Sequence, residues 1–480
     1  MEDHGFELVV GLEVHAQLLS RTKIFSPEAA LFGDAPNRQV SLITLAHPGT
    51  LPRLNDKVLE LAVRMGIGCN CEISRYTAFD RKNYFYPDLP KGYQITQDRH
   101  PICKGGWIDL PDGSRVDLDR IHLEEDAGKS IHEGESPESS IDLNRAGVPL
   151  IEIVTKPCIR SAESAAAFLT EVRKLVRFLE VCDGNMEEGS LRADANVSIR
   201  KKGDTTLGKK VEIKNMNSIR NVRAAIESEF NRQVGLIKAG EAIVSETRLF
   251  DVASGRTVAM RQKEELNDYR YFPDPDLCPF TITEEWLSSV RGRMPGTPAS
   301  YAATFSSQYG LPEYDAQVLA SERVTAEYFK ATCEHTDQFK SVSNWIMGPV
   351  RSYMNDHPGA DIPIDPAKLA ELVEAIATGI VNHTLATRQV FPGMIEHPDR
   401  PLKDILEGLG LNAAAGKDEL SSVIDEVIRI FPLKVEEYLN GKKAIISMFM
   451  GEVMKRTSGK ADPKAANQLL AEKLNSLKQK

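Results

Sequence analysis

The residues best suited to chemistry in this chain lie along short runs that alternate polar with apolar. In Leu12-Glu-Val-His-Ala-Gln-Leu18 the two-residue period of a strand puts Glu13, His15 and Gln17 on one face. Leu12, Val14, Ala16 and Leu18 take the other. The same period in Ile121-His-Leu-Glu-Glu-Asp126 groups His122, Glu124 and Asp126 opposite Ile121 and Leu123. Glu152 sits inside Pro149-Leu-Ile-Glu-Ile-Val-Thr155, a run otherwise apolar enough to be buried. Ser190–Arg200 alternates throughout and brings Arg192, Asp194, Asn196 and Ser198 together, while Val211-Glu-Ile-Lys214 adds Glu212 and Lys214. One such strand is ordinarily a solvated sheet face. Five in one region suggest a site. Carboxylates with an imidazole suit a hard, oxygen-preferring cation, Mg²⁺ or Mn²⁺. Arg192 and Lys214 can neutralise phosphates held beside it. A carboxylate such as Glu152 is costly to bury without a partner of this kind. The expectation is a metal–nucleotide site on an open sheet face.

Two further stretches combine aromatics, cations and turn residues: Arg81–Gln97, with Lys82 and Lys91, and Asp268-Tyr-Arg-Tyr-Phe-Pro-Asp-Pro-Asp276. Taken singly, each reads as a Pro-bent strand with half-buried tyrosines. Aromatic faces beside cations also suit an adenine or the end of an RNA strand. Ala127-Gly-Lys-Ser130 resembles the end of a Walker A loop, but position 123 is Leu123 where that loop needs Gly. The G-x-S-x-G and H-E-x-x-H patterns do not occur, so hydrolase and zincin readings have no support.

The elements that must carry these residues are β-rich to about residue 290, with short runs broken by Gly, Pro, Asn and Asp. Two helices interrupt them. One has Ser161 as its cap and Ala165, Phe168, Leu169, Val172, Leu175, Val176 and Leu179 at helical spacing. The other follows Asn217 through Ala224, Ile226 and Phe230. Strands with intercalated helices and little strict alternation predict an α+β fold with an antiparallel sheet. The breaker run Gly292-Arg-Met-Pro-Gly-Thr-Pro298 marks the main boundary, and helical periodicity takes over beyond it. Asp365-Pro366 opens a helix that continues through Leu369, Leu372, Val373 and Ile376 to a stop at Gly379. Leu420, Val423, Ile424, Val427 and Phe431 form another stripe, and Asp462-Pro463 starts the last helix. These stripes read as core packing.

The chain has 480 residues, enough for about three domains. Lys+Arg is 59 and Asp+Glu 69, so the net charge is 59 − 69 = −10, and a nucleic-acid partner would need a local basic patch. Residues 441–480 provide one, with nine Lys/Arg against three Asp/Glu, a local +6. No run approaches the roughly 18 apolar residues of a membrane span. The acidic start resembles no presequence, and the seven scattered cysteines contain no C-x-x-C pair. Together these features predict a cytoplasmic chain without membrane association.

Several longer motifs occur in order: Gly11-Leu-Glu-Val-His-Ala-Gln-Leu18, Lys23-Ile-Phe-Ser26, Phe79–Asp88, Leu123-Glu-Glu-Asp-Ala-Gly-Lys-Ser130, Asp142-Leu-Asn-Arg145, Pro149–Val154, Met186-Glu-Glu-Gly-Ser-Leu-Arg192 and Asp268–Pro273. With Ser343-Asn-Trp-Ile-Met-Gly348 and Asn467–Leu470, they closely resemble the B-subunit family of the bacterial aspartyl/glutamyl-tRNA amidotransferases. The resemblance implies a glutamine-synthetase-like cradle at 1–292, a helical domain at 293–405 and a tRNA-binding helical tail at 406–480. It also implies a heterotrimer with an amidase A subunit and a small C subunit. The implied enzyme is a ligase that forms C–N bonds with glutamine as amide donor. ATP and Mg²⁺, with Mn²⁺ an alternative, serve to phosphorylate the side chain of Glu or Asp misacylated onto tRNA(Gln) or tRNA(Asn). Ammonia from the A subunit then gives the amide.

By motif position, the resemblance implies Glu13, His15, Glu124, Glu125 and Glu152 as metal ligands. Arg192, Asp194, Glu212 and Lys214 are implied nucleotide or acyl-phosphate residues, with Lys82 beside them, and Lys91 and Glu125 lie on the ammonia path. Some relatives carry a C-x-x-C near Thr44–His47 that can hold zinc. This chain has no cysteine there, so no structural zinc is expected despite Cys69 and Cys71. A His usual in the family before the Asp-Tyr-Arg run is replaced by Leu266-Asn267. An archaeal relative with an inserted domain, a free-standing amide ligase and a non-enzymatic tRNA scaffold are rival readings. The length, the basic tail and the carboxylate-lined strands argue against them in turn. Whether tRNA(Gln), tRNA(Asn) or both are served is open.

Overall fold

Strand Phe6–Gln17 (β1) is the axis of the N-terminal half. The structure, a computed structural model, describes residues 5–132, 138–260, 269–409, 416–457, 461 and 463–477. It divides into two units, Met1–Thr297 and Pro298–Lys480. The division falls at the end of the Gly292–Pro298 breaker run. Leu266 and Asn267 lie outside the described residues.

Around β1 the first unit builds its large sheet from Arg115–Glu125 (β2), Pro149–Thr155 (β3), Leu191–Lys201 (β4), Val211–Lys214 (β5), Thr247–Asp251 (β6) and Arg256–Ala259 (β7). From one edge the order is β7, β6, β5, β4, β1, β3, β2, and Cys103–Lys104 and Glu72–Ile73 follow. The expectation of a wholly antiparallel sheet needs one correction. β5 and β6 pair parallel, with Glu212 opposite Thr247, so the sheet is mixed. The cause is the connection between them, the 20-residue helix Ile219–Lys238 (α3), which is long enough to return the chain to the same end of the sheet.

One face of this sheet is covered. Leu8, Val10, Leu12, Val14 and Ala16 of β1 are buried in a core with Leu61 and Met65 of helix Asp56–Gly68 (α1), Phe168, Val172 and Val176 of helix Ala162–Phe178 (α2) and Val222, Ile226 and Phe230 of α3. Ser161 caps α2 by accepting from Ser164 N at 3.0 Å, and Ser218 caps α3 by accepting from Asn221 N at 3.1 Å. Removing a ring such as Phe168, which is fully buried, would cost about 3–5 kcal/mol. Because the helices occupy this face, the alternate residues of the same strands project from the opposite one. Glu229 locks the sheet edge to α3. Fully buried, it accepts from Arg232 at 2.7 and 2.9 Å, from Gln233 at 2.8 Å and from Thr257 of β7 at 2.8 Å. A smaller sheet, in which Asp80–Asn83 runs between Phe272–Pro273 and Tyr93–Thr96, carries Lys82.

The second unit is helical. Asp365 accepts from Ala367 N at 2.9 Å, capping Pro366–Ala377, and Gly379 follows in the left-handed region at φ 76°. Trp345 is buried against Phe391. A separate core joins Leu420, Ile424 and Val427 to Phe449, Val453, Leu470 and Leu474. The expected 405/406 division falls inside helix Leu402–Gly408, so a boundary at that point would cut a helix in two.

Candidate metal and nucleotide site

Sheet register lines up the polar residues. His15 of β1 stands opposite Glu152 of β3 on one side and Arg192 of β4 on the other, and Glu152 stands opposite His122 of β2. The row His122–Glu152–His15–Arg192 therefore crosses four neighbouring strands. Glu124, two residues along from His122, faces the same way. His15 Nε2 lies 3.4 Å from Glu124 Oε1 and 3.5 Å from Glu152 Oε2. One ligand atom from each of His15, Glu124 and Glu152 can be chosen so that all three lie within 4.8 Å of one another. Two carboxylates and an imidazole at this spacing are a fitting donor set for a hard divalent cation.

The electrostatics follow from crowding like charges in a buried place. Burial disfavours charge on His15, yet the hydrogen bond to Glu152 and the charges of Glu124 and Glu152 push its pKa up to about 9. Burial acts against ionised Glu152 too, but His122 and His15 hold it well below the usual carboxylate range. Glu124 is pushed up, by burial first and then by Glu152, despite the opposing charge of His15. Glu13 is raised by burial and by Glu152 and Glu212. A cation here would relieve the repulsion that now raises Glu124 and Glu13.

Beside this group lies a second one. Lys214 Nζ is 2.7 Å from Asp194 Oδ2 and 2.8 Å from Glu212 Oε1. Thr247 donates to Glu212 at 2.8 Å, and Asn196 donates to Glu13 at 2.9 Å. Burial opposes the charge on Lys214, but Asp194 and Glu212 keep its pKa above the ordinary lysine value. Arg192 Nη2 donates to buried Asp126 at 2.8 Å, as does Gln17 at 3.1 Å. Lys82 sits 4.8 Å from the centre of the Tyr269 ring. Tyr271, Glu124 and Glu152 keep its pKa raised against the effect of burial.

The sequence expectations divide accordingly. His15, Glu124 and Glu152 come together, with Glu13 on the same face beside them. Glu125 does not join them, which corrects its placement among the metal ligands. It follows Glu124 directly, so strand alternation turns it to the other side. There it pairs with Lys91 and accepts from Ile95 N at 2.9 Å. Lys91 and Glu125 line a cavity of about 110 Å³ with Phe25, Tyr93 and Gly147. His122, Asp126, Gln17 and Asn196 were visible on the predicted polar faces without being assigned to the site. Thr247 carried no such signal, because its place depends on the parallel pairing of β5 with β6.

The chain matches the sequence model of the GatB/GatE catalytic domain over residues 8–288 and that of the GatB domain over residues 327–474. It is 46% identical to the B subunit of the aspartyl/glutamyl-tRNA(Asn/Gln) amidotransferase of Thermosynechococcus vestitus, with 98% of this chain and 97% of that protein covered. The corresponding protein of Thermoanaerobacter pseudethanolicus is 45% identical, with 98% and 99% covered. The chain belongs to this family. As an amidotransferase B subunit it is part of a glutamine-dependent ligase. Every residue of the two polar groups, from Glu13 to Thr247, falls within the part matched to the family's catalytic domain. The helical unit contains the part matched by the second model.

Proposed function

We propose that the polar face of the large sheet binds ATP with Mg²⁺ and activates the side-chain carboxylate of Glu or Asp misacylated onto tRNA(Gln) or tRNA(Asn). The observation that carries this reading is the group of buried Glu124 with half-buried His15 and Glu152, whose ligand atoms lie within 4.8 Å of one another. These residues would hold the cation, with Glu13 alongside, and the donor set suits Mn²⁺ as well. When bound, the cation supplies charge neutralisation between phosphate oxygens and the attacking carboxylate. Arg192 and Lys82 bring positive charge to the rim, where transferred phosphoryl oxygens need it. Asp194, Glu212 and Lys214 form the nucleotide-facing end of the same surface.

The chemistry explains why ATP is needed. A free carboxylate is a poor electrophile. Its oxygen takes the γ-phosphoryl group and ADP leaves; ammonia then forms the C–N bond as the C–O bond to phosphate breaks. Lys91 and Glu125 line a cavity together with Asp126 at the end of β2 and are suited to an ammonia path from an A subunit. A small C subunit would complete the heterotrimer. In this reading the first unit is the glutamine-synthetase-like cradle and the C-terminal residues hold tRNA in the cytoplasm. No helix among the described residues is long and apolar enough to cross a membrane.

Hydroxylamine trapping tests the activation step. The assembled complex with ATP and misacylated tRNA, but no glutamine, should yield the side-chain hydroxamate. A complex that amidates normally but gives no ATP-dependent hydroxamate would contradict an acyl phosphate.

A further inference from the structure

His122 is buried to 4% exposure on the same face as the cation-binding group, yet it is not one of the three residues whose ligand atoms cluster. Its Nε2 lies 3.3 Å from Glu152 Oε2 and 3.9 Å from Glu124 Oε2. Its Nδ1 is buried and has no hydrogen-bond partner among the described residues. A proton on Nδ1 would thus be a buried donor without an acceptor, an unfavourable arrangement. The ring proton belongs on Nε2, where carboxylate oxygens face it.

The same Glu152 oxygen is approached from the other side by His15 Nε2 at 3.5 Å. If His15 gives the Nε2 lone pair to a cation, that nitrogen can no longer donate to Glu152. His122 is then the remaining imidazole donor on this oxygen. A ligating carboxylate without such a partner is free to rotate away from its productive orientation.

We propose that His122 is a positioning residue for the cation: its Nε2–H fixes the Glu152 carboxylate from behind while His15, Glu124 and Glu152 take the metal. The inference rests on the cation reading given above and adds a residue that does not itself ligate. It also accounts for an imidazole on β2 whose second nitrogen makes no hydrogen bond among the described residues.

The test is Mn²⁺ binding to the assembled complex, followed by electron paramagnetic resonance of the free ion, without any turnover. Four variants are compared with the wild type: Glu152→Gln, His122→Leu, His122→Asn and His122→Gln. A glutamine amide can reach the place of Nε2, whereas an asparagine amide reaches only that of Nδ1. The expected result is loss of the site in Glu152→Gln and affinity about 10- to 100-fold weaker in His122→Leu and His122→Asn. His122→Gln should recover to within about threefold of wild type, since the donor is restored. Wild-type affinity in His122→Leu, with the site still lost in Glu152→Gln, would overturn the role of His122 and leave the cation reading standing. Equal weakening in Gln and Asn variants would overturn it as well, by making the ring a packing element. Unchanged binding in Glu152→Gln would remove the cation reading and this inference together. If His122→Leu does not fold, the Gln and Asn pair, both polar, decides.

Discussion

His15 and Glu152 face each other across neighbouring strands, Nε2 to Oε2 at 3.5 Å, directly opposite in the antiparallel register. The pair joins β1 to β3 on the sheet face opposite the core helices. Burial opposes charge on both groups, but this contact, with Glu124 beside His15 and His122 beside Glu152, shifts them in opposite senses: His15 is pushed up to about 9 and Glu152 is held well below the usual carboxylate range.

Geometry ranks the carboxylates. Glu152 belongs to the group within 4.8 Å, while Glu13 lies beside it and accepts from Asn196. Glu152→Gln should lower tRNA-dependent ATP turnover by ~100-fold or more, in the range seen when one transition-state contact is removed. Glu13→Gln should cost about tenfold, through a weaker cation. Steady-state rates of the two variants in the assembled complex check this; equal losses would mean that Glu13 ligates directly.

Lys23 provides a pH test away from this face. It is fully buried, donates to Gln39 O at 2.6 Å, and has its pKa lowered by burial from 10.5 to about 8. Between about pH 8 and 10.5 the unfolded chain holds more protons than the folded one, so stability conferred through this group rises with pH. Below pH 8 the full cost of a buried charge is present. Compared with Lys23→Met, the wild-type unfolding midpoint should therefore gain as pH is raised from 7.5 towards 9.5. A difference that stays constant over this range would refute the lowered pKa.

The tail bears on tRNA. Residues 441–480 carry +6, but Arg456 is engaged by Glu426 at 2.8 Å and Glu452 at 3.0 Å, leaving Lys455 the more available. Lys460 and the side chain of Lys464 lie outside the described residues. Truncation after Leu409, which leaves helix Leu402–Gly408 whole, should weaken tRNA binding and flatten its dependence on salt. Affinity and slope identical to the full-length complex would return the tail to an ordinary solvated surface.

Glutamine should not be a substrate of this chain alone. Cys69, Cys103, Cys182 and Cys333 are buried, and burial pushes Cys71, Cys182 and Cys333 up to about 12, leaving them protonated thiols near neutral pH. Ammonia release from glutamine by the purified chain, free of amidase, would contradict the division of labour between subunits.

How much of this was legible follows from what a strand's period can say. Alternation alone assigned Glu13, His15, Glu124, Arg192, Asp194 and Lys214 to polar faces, Glu152 stood out as a carboxylate in an otherwise apolar run, and the helix caps at Ser161 and Asp365 were read from local chemistry. The same alternation separates Glu125 from Glu124, but the motif resemblance had grouped them. Which strands are neighbours was beyond the pattern, because pairing depends on contacts remote in sequence. The parallel step from β5 to β6, and with it the hydrogen bond from Thr247 to Glu212, came from α3 acting as a crossover. His122 was visible as a polar-face residue, but its place opposite Glu152 required the register.

The most direct test of the central claim is ATP hydrolysis by the assembled complex in the presence of misacylated tRNA, with glutaminase activity followed in the same samples. In His15→Ala and Glu152→Gln the account predicts that ATP hydrolysis falls by ~100-fold or more while glutamine is still hydrolysed near the wild-type rate. ATP hydrolysis within about threefold of wild type in both variants would contradict it, and the phosphoryl-transfer site would have to lie elsewhere.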